Sequence, residues 1–349
     1  MEIHDGWASS FVTGGRAAGR VHWLDRSLRL RLARLSATSR GLDSGRIVHL
    51  THVPAIHSDI GHGEDRLRNT PAFETAASVE TPPSPQNLSY DLQVGLASDP
   101  GRVRSRNEDT SLAMQFMLAQ YGQPPLPMGL FILADGMGGH ADGQQASSLC
   151  VRLAARHILS QVHLPMLSDQ DGTVAQAPIN EVLESSMEIA HEALVRRLPT
   201  AGTTMTMALA LGDGLYIAHV GDSRAYLGER GRLRLLTRDH SLAARLLEMG
   251  QTTSDEAARQ RNTLYKALGQ GTRVDPDILY HDLDPGQYLL LCCDGLWDKV
   301  SDADMSAIVE ASPTPGIACR NLVTRANENG GEDNISVVLA ARGWPLPAH

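Results

Sequence analysis

The residues best suited to chemistry in this chain are acids that leave apolar, strand-like runs directly into glycine. Asp135 follows the apolar run Leu130 to Ala134, and three of the next four residues are glycine. Glycine lets the backbone turn sharply and expose a carbonyl oxygen, here that of Gly136, beside the carboxylate. The pattern returns at Cys293-Asp294-Gly295, at Gly221-Asp222-Ser223 and at Gly331-Glu332-Asp333-Asn334, just before Ile335. One such acid is an ordinary turn. Four are hard to read as unrelated turns, because a neutral turn uses Asn, Ser and Gly as freely as Asp. Carboxylate, carbonyl and water oxygens are the ligands of hard cations such as Mg²⁺ and Mn²⁺, whereas Zn²⁺ usually recruits His or Cys. His140, His219 and His240 lie near these blocks without zincin spacing, and the chain has neither a GxxxxGK[ST] loop nor a GxSxG elbow. Spacing alone leaves a Ser-His-Asp arrangement open.

An arginine joins the acids in the block SDPGRVRSRNED, which carries Arg104, Glu108 and Asp109. A guanidinium beside clustered acids is either a structural ion pair or a clamp for an anionic substrate. Divalent ions together with a planar two-pronged donor are what in-line attack on a phosphoryl group requires.

These residues need elements that bring them together. Strand-like runs recur at Leu92–Ala97, Leu130–Ala134, Thr204–Leu211, Leu215–Val220, Ala225–Leu227, Leu233–Leu236, Tyr288–Cys293 and Ile335–Ala340. Gly212-Asp213-Gly214 and the segment Gly228 to Gly231 join two pairs of them as antiparallel hairpins. Amphipathic helices are expected over Gln144–Leu159, Ile179–Leu198 and Pro315–Asn327, with a further helix started by a Ser301/Asp304 capping box. Hairpins with segregated helices predict an α+β fold, two antiparallel sheets packed together with helices outside.

The chain has 349 residues and a formal net charge of −9, which argues against nucleic acid as the main partner. Its four cysteines, Cys150, Cys292, Cys293 and Cys319, form no CxxC pair, and a reducing cytoplasm is expected. No apolar run approaches the roughly 18 residues of a membrane span, and the start lacks a secretory h-region. Residues 1–89 read differently. Arg16 to Arg46 holds eight arginines, no lysine and two acids, with Leu24, Leu28, Leu32 and Leu35 on one side of a possible helix. A surface-binding helix or a disordered leader both fit, followed by a Pro/Ser/Thr linker over 70–89. The ordered domain is expected from near Tyr90 to Arg342, with 343–349 as a tail.

The blocks SDPGRVRSRNED, ADGMGGH, GTT, GDSR, TRDHS, CDGLWD and GGEDNISV resemble, in order and spacing, the metal-dependent Ser/Thr protein phosphatases (protein phosphatase 2C-like, PPM), bacterial type. The resemblance runs from about Tyr90 to Arg342 and leaves residues 1–89 uncovered. It implies an α-β-β-α sandwich and two to three Mn²⁺ or Mg²⁺ ions. Asp135 would bridge two ions and Gly136 would add its carbonyl. Asp294 and Asp333 would complete the first ion's shell, while Glu108 and Asp109 would serve the second, mostly through water. Asp222 with Asp294 would form a weaker third site. Arg104 matches the arginine that grips the substrate phosphate, and Asn107 and Asn334 would orient ligands from outside. The implied reaction is direct hydrolysis of phosphoserine and phosphothreonine by hydroxide bridging two ions about 3.5–4 Å apart. A monomer acting on phosphorylated proteins, opposing a Ser/Thr kinase, is expected.

Some positions depart from the pattern. Met137 stands where animal relatives have a histidine proposed as general acid, so His140 or a metal-bound water would donate that proton. LYKALG at Leu264–Gly269 replaces a more usual Leu-Thr-Arg in a flap that influences substrate choice, and Cys293 and Ser336 replace a usual serine and threonine. Two other functions fit the same residues: hydrolysis of small phosphoesters, and a catalytically dead relative that binds phosphoproteins or a regulator.

Overall fold

The strands of this chain that read as continuous apolar runs do so because both their faces are covered. A computed structural model describes residues 92–119, 125–138, 142–168, 177–250 and 263–344. The expected leader and linker over 1–89, His140, flap residues 251–262 and the end of the tail from 345 lie outside the described residues.

In chain order the elements are β1 (Leu92–Asp99), β2 (Thr110–Leu118), β3 (Leu126–Ala134), β4 (Gly136–Met137), α1 (Asp142–Ile158), α2 (Leu164–Ser168), α3 (Ile179–Arg197), β5 (Gly202–Thr203), β6 (Met205–Leu211), β7 (Gly214–Val220), β8 (Arg224–Glu229) and β9 (Arg232–Leu235). There follow α4 (Leu242–Glu248), β10 (Asp277–Asp282), β11 (Tyr288–Cys292), α5 (Asp294–Trp297), α6 (Asp302–Ala311), α7 (Pro315–Glu328) and β12 (Ile335–Arg342). A π-helical turn, Leu159–His163, joins α1 to α2.

One five-stranded sheet runs β1-β12-β11-β8-β9 and the other β10-β7-β6-β3-β2, with every neighbouring pair antiparallel. This is the predicted α-β-β-α sandwich, and both predicted hairpins are present as β6–β7 and β8–β9. Alternation along each strand sorts the core into three layers. Phe131 and Leu133 of β3 meet Leu289 and Leu291 of β11 between the sheets. Leu130 and Ile132 face the other way, onto α1 and α3, while Tyr288, Leu290 and Cys292 face α6 and α7. The helices start as their caps dictate: Ser301 accepts from Asp304 N, and Thr314 accepts from Ile317 N ahead of Pro315.

Sequence reading did not anticipate β2, β10 or the short β4–β5 pair. β2 and β10 are sheet edges and only partly buried, so neither carries a continuous apolar run.

Candidate metal centre

Strand direction and register gather the predicted acids at one end of the sandwich. β2 begins where β3 ends, Thr110 lying opposite Ala134, so Glu108 and Asp109 arrive beside Asp135. Val220 at the end of β7 pairs with Met205 at the start of β6, which brings Asp222 to the same end. Asp294 comes two residues after the end of β11, and Cys292 opposes Val337 of β12, so Asp333, just ahead of β12, returns there too. The acids therefore come from strands of both sheets.

The backbone around them is closely held. Asp135 N donates to Thr204 Oγ1 at 2.9 Å, and the Asp135 carbonyl accepts from Thr203 Oγ1 at 2.8 Å and Thr204 N at 2.9 Å. Gly136 has no room for a side chain, since a Cβ there would lie 2.6 Å from the Glu108 carbonyl oxygen. A Cβ at Gly143 in α1 would crowd both Glu108 Oε2 and the Gly136 carbonyl, so these two predicted oxygens border one small space. Asn334 stitches the arginine loop in place: Oδ1 accepts from Glu108 N at 2.8 Å, and Nδ2 donates to the carbonyls of Arg106 (2.8 Å) and Pro100 (3.0 Å). Asn107 Oδ1 accepts from Asp109 N at 3.1 Å. Both asparagines thus hold the backbone that carries Glu108 and Asp109. Arg104 Nη2 donates to Asp333 Oδ2 at 2.8 Å, with the guanidinium about half exposed.

The GDSR, TRDHS and CDGLWD blocks interlock in a way sequence reading did not foresee. Asp239 takes Arg224 with two hydrogen bonds, at 2.7 and 3.0 Å, and the guanidinium lies 3.6 Å above the Trp297 ring. Trp297 Nε1 in turn donates to the Asp222 carbonyl at 3.0 Å. Thr204 Oγ1 reaches Ser223 Oγ at 2.8 Å. The blocks were visible as blocks; their mutual contacts are a product of the fold.

The carboxylates share a low-dielectric space and repel one another. Burial, then Asp109, Asp294 and Asp222, push Asp135 well above the usual carboxylate range. Burial also raises Asp109, Asp222 and Asp294, with further push from neighbouring acids in each case. Both carboxylate oxygens of Asp109 and Oδ1 of Asp294 are buried with no partner in hydrogen-bonding geometry; Ser336 and Cys293 lie near enough to Asp109 only to moderate its shift. Buried anionic oxygens without donors fit a bound cation, because leaving them bare is costly. Among the described residues, no three acid, His or Cys side chains close into a ready-made cage. Asp222, Asp294, Trp297, Lys299, Glu332 and Asp333 border an open cleft of about 170 Å³.

Other expected positions are less direct. Lys266 in the flap segment is engaged by Asp277 at 3.2 Å and Asp275 at 3.7 Å, while Tyr265 is part exposed. His140 lies outside the described residues, so its predicted role has no geometry to stand on.

A sequence profile of the Protein phosphatase 2C family matches residues 126–316. The serine/threonine phosphatase stp of Listeria innocua is 35% identical over 247 residues, spanning 70% of this chain and 94% of that protein. Serine/threonine protein phosphatase PstP of Mycobacterium tuberculosis is 34% identical over 71% of this chain and 45% of its own length. Among solved structures, the S. agalactiae serine/threonine phosphatase superposes with a TM-score of 0.59 at 33% identity, covering 72% of this chain and 99% of that one. The PstP catalytic domain in complex with two manganese ions gives 0.56 at 30% identity, covering 72% and 97%. The chain belongs to the protein phosphatase 2C family.

Proposed function

We propose that this protein is a metal-dependent phosphatase that hydrolyses phosphoserine and phosphothreonine in proteins. The observation that carries the reading is the cluster of Asp109, Asp135, Asp222 and Asp294, buried with raised pKa values and partly without hydrogen-bond donors. Asp135, the Gly136 carbonyl, Asp294 and Asp333 would hold one Mn²⁺ or Mg²⁺, Asp135 with Glu108 and Asp109 a second, and Asp222 with Asp294 a third. When bound, the ions supply Lewis acidity, making water acidic enough to serve as nucleophile and offsetting charge on the phosphoryl oxygens. Arg104, at the rim of the cluster, would exchange its Asp333 partner for two phosphoryl oxygens and fix the substrate for in-line attack. His140 is proposed as the donor to the leaving oxygen.

A phosphorylated protein is proposed over a small phosphoester because the similar proteins are named serine/threonine phosphatases, PstP a serine/threonine protein phosphatase. Action in the cytoplasm against a Ser/Thr kinase is part of the proposal, supported by four cysteines present as buried free thiols. A monomer is proposed because two of the four edge strands, β9 and β10, carry charges, Arg232 and Arg234 on one and Asp277 and Asp282 on the other, which discourages pairing along those edges. Among the described residues no helix is long and apolar enough to cross a membrane.

The deciding experiment is Mn²⁺-dependent phosphate release from a phosphothreonine peptide by wild type and Asp135→Asn. Turnover that requires metal and falls by at least about 10²–10³-fold in the variant is expected, as for loss of a principal electrostatic stabiliser. No turnover by folded, Mn²⁺-saturated wild type would sink the enzyme reading and favour a phosphoprotein-binding role.

A further inference from the structure

Behind the Gly221–Ser223 turn lies a buried polar cluster that the proposed reaction leaves unused. His219 and His240 are both almost fully enclosed, with ring centroids 4.9 Å apart. Gly221 N donates to His240 Nδ1 at 3.1 Å, while His240 N donates to the Gly221 carbonyl at 2.7 Å. Side chain and backbone of one histidine therefore grip both ends of one glycine. Gly221 has φ +113°, a conformation few L-residues adopt, and a Cβ there would lie 2.5 Å from Thr204. Only glycine fits this turn, and its two peptide groups are both held by His240.

The tautomer of His240 follows from its partners. An N–H can donate to Nδ1 only if Nδ1 carries a lone pair, so the ring proton sits on Nε2. Nε2 lies 3.2 Å from Asp277 Oδ2, and Lys266 Nζ holds the other oxygen of Asp277 at 3.2 Å. The carboxylate thus orients the ring as carboxylates orient metal-ligating histidines, although here the histidine grips a backbone amide. From the opposite side, Thr204 Oγ1 bonds Ser223 Oγ at 2.8 Å and Thr206 Oγ1 donates to the Ser223 carbonyl at 3.1 Å. Tyr265 N donates to the His240 carbonyl at 3.0 Å, tying the flap base to the same histidine.

We propose that His240, oriented by Asp277, is a positioning residue for Asp222: by fixing both peptide groups of Gly221 it keeps the neighbouring carboxylate aimed into the acid cluster. This rests on the reading that Asp222 holds a divalent ion. It goes beyond that reading by assigning the TRDHS histidine a task on the metal side of the molecule. The same geometry divides the two ring nitrogens, Nδ1 acting on the turn and Nε2 on Asp277.

The test is Mn²⁺ binding by calorimetry to wild type, Asp222→Asn, His240→Leu, His240→Asn and the His240→Leu/Asp222→Asn double variant. His240→Leu is expected to weaken the Asp222-dependent binding step about 10–100-fold, the scale of outer partners of metal ligands. His240→Asn, whose Oδ1 can still accept from Gly221 N–H, is expected to recover most of that loss. In the Asp222→Asn background, His240→Leu should change nothing further. In metal-free protein the Gly221 amide should exchange with solvent faster in His240→Leu than in His240→Asn. An unchanged isotherm, or an equal loss in the Asp222→Asn background, overturns the proposal. If His240→Leu does not fold, Asp277→Leu is read instead, with a loss in the same step expected and an unchanged isotherm overturning. A wild type with no Asp222-dependent step sinks the metal reading and this proposal together. An intact step indifferent to His240 sinks this proposal alone.

Discussion

At Asp222 the backbone is tied on both sides, through Gly221 to His240 and through its own carbonyl to Trp297, while the carboxylate is left among like charges. Burial and Asp294 raise its pKa to about 8. A group whose folded pKa lies above its unfolded value contributes stability below the unfolded pKa and loses it as pH rises through the folded one. Metal-free protein should therefore lose stability between about pH 4 and 8 on account of these acids. His219 works the other way. Burial, then His240, push its pKa down to about 3, so stability present above the unfolded value near 6.5 is lost as pH falls toward 3. Tm measured against pH in chelator should show both limbs, overlapping between about pH 4 and 6.5, where the several raised acids outweigh the one histidine and place the maximum toward the acid end. Saturating Mn²⁺ should remove the alkaline limb and leave the acid limb, and an alkaline limb that survives Mn²⁺ would contradict the ligand assignments. Asp222→Asn should raise the metal-free Tm at pH 8 by several degrees, at about 2–4 °C per kcal/mol, and shrink the Mn²⁺-induced rise. Arg104→Ala should lower kcat/KM about 10–100-fold, in line with roughly 1.5–3 kcal/mol for a hydrogen bond to a charged group.

Among the elements, the loop of residues 100–109 and the turns after β3, β7 and β11 depend on short polar ties rather than on burial. Thr204→Val removes the acceptor for Asp135 N and the bond to Ser223 while keeping the volume. Leaving that amide unpaired should cost about 1–3 kcal/mol, read as a lower Tm together with weaker Mn²⁺ binding. How much of this was legible in sequence differs by element. Strands β3, β6, β7, β11 and β12 announced themselves because burial on both faces demands unbroken apolar runs. Asp135 and Asp294 announced themselves by leaving such runs into glycine, and Asp222 and Asp333 by standing at strand ends beside glycine or a turn-former. β2 and β10 did not, since an edge strand is half solvated and its pattern resembles a loop. The Arg224–Asp239 pair and the His240–Gly221 grip were also illegible, because they join residues 15 and 19 positions apart through a hairpin whose register only the folded sheet sets.

For the molecule as a whole, stability rests on the layer between the sheets and the proposed catalysis on the end where the acids gather. Phe131→Ala, in that middle layer, should cost about 3–5 kcal/mol, seen as a Tm lower by roughly 10 °C. Removing residues 1–89 should leave phosphate release from a peptide intact while altering partner capture or localisation; lost turnover would contradict the domain division proposed from the Arg-rich composition and the linker over 70–89.

The pairing of β1 with β12 sets Leu92 against Arg342, and β12 also forms the other neighbour of β11. The first strand of the domain thus finds its partner only when the last has been made, and the acid at Asp333 arrives immediately before that strand. During synthesis the centre must stay incomplete until the ribosome has passed Arg342, however much of the chain has already collapsed. With the proposed ligands, a phosphatase arranged this way would be silent as a nascent chain and in any product that terminates ahead of Asp333. Chains ending at residue 330 should show no Mn²⁺-dependent turnover, even with α1 and α3 folded against their sheet.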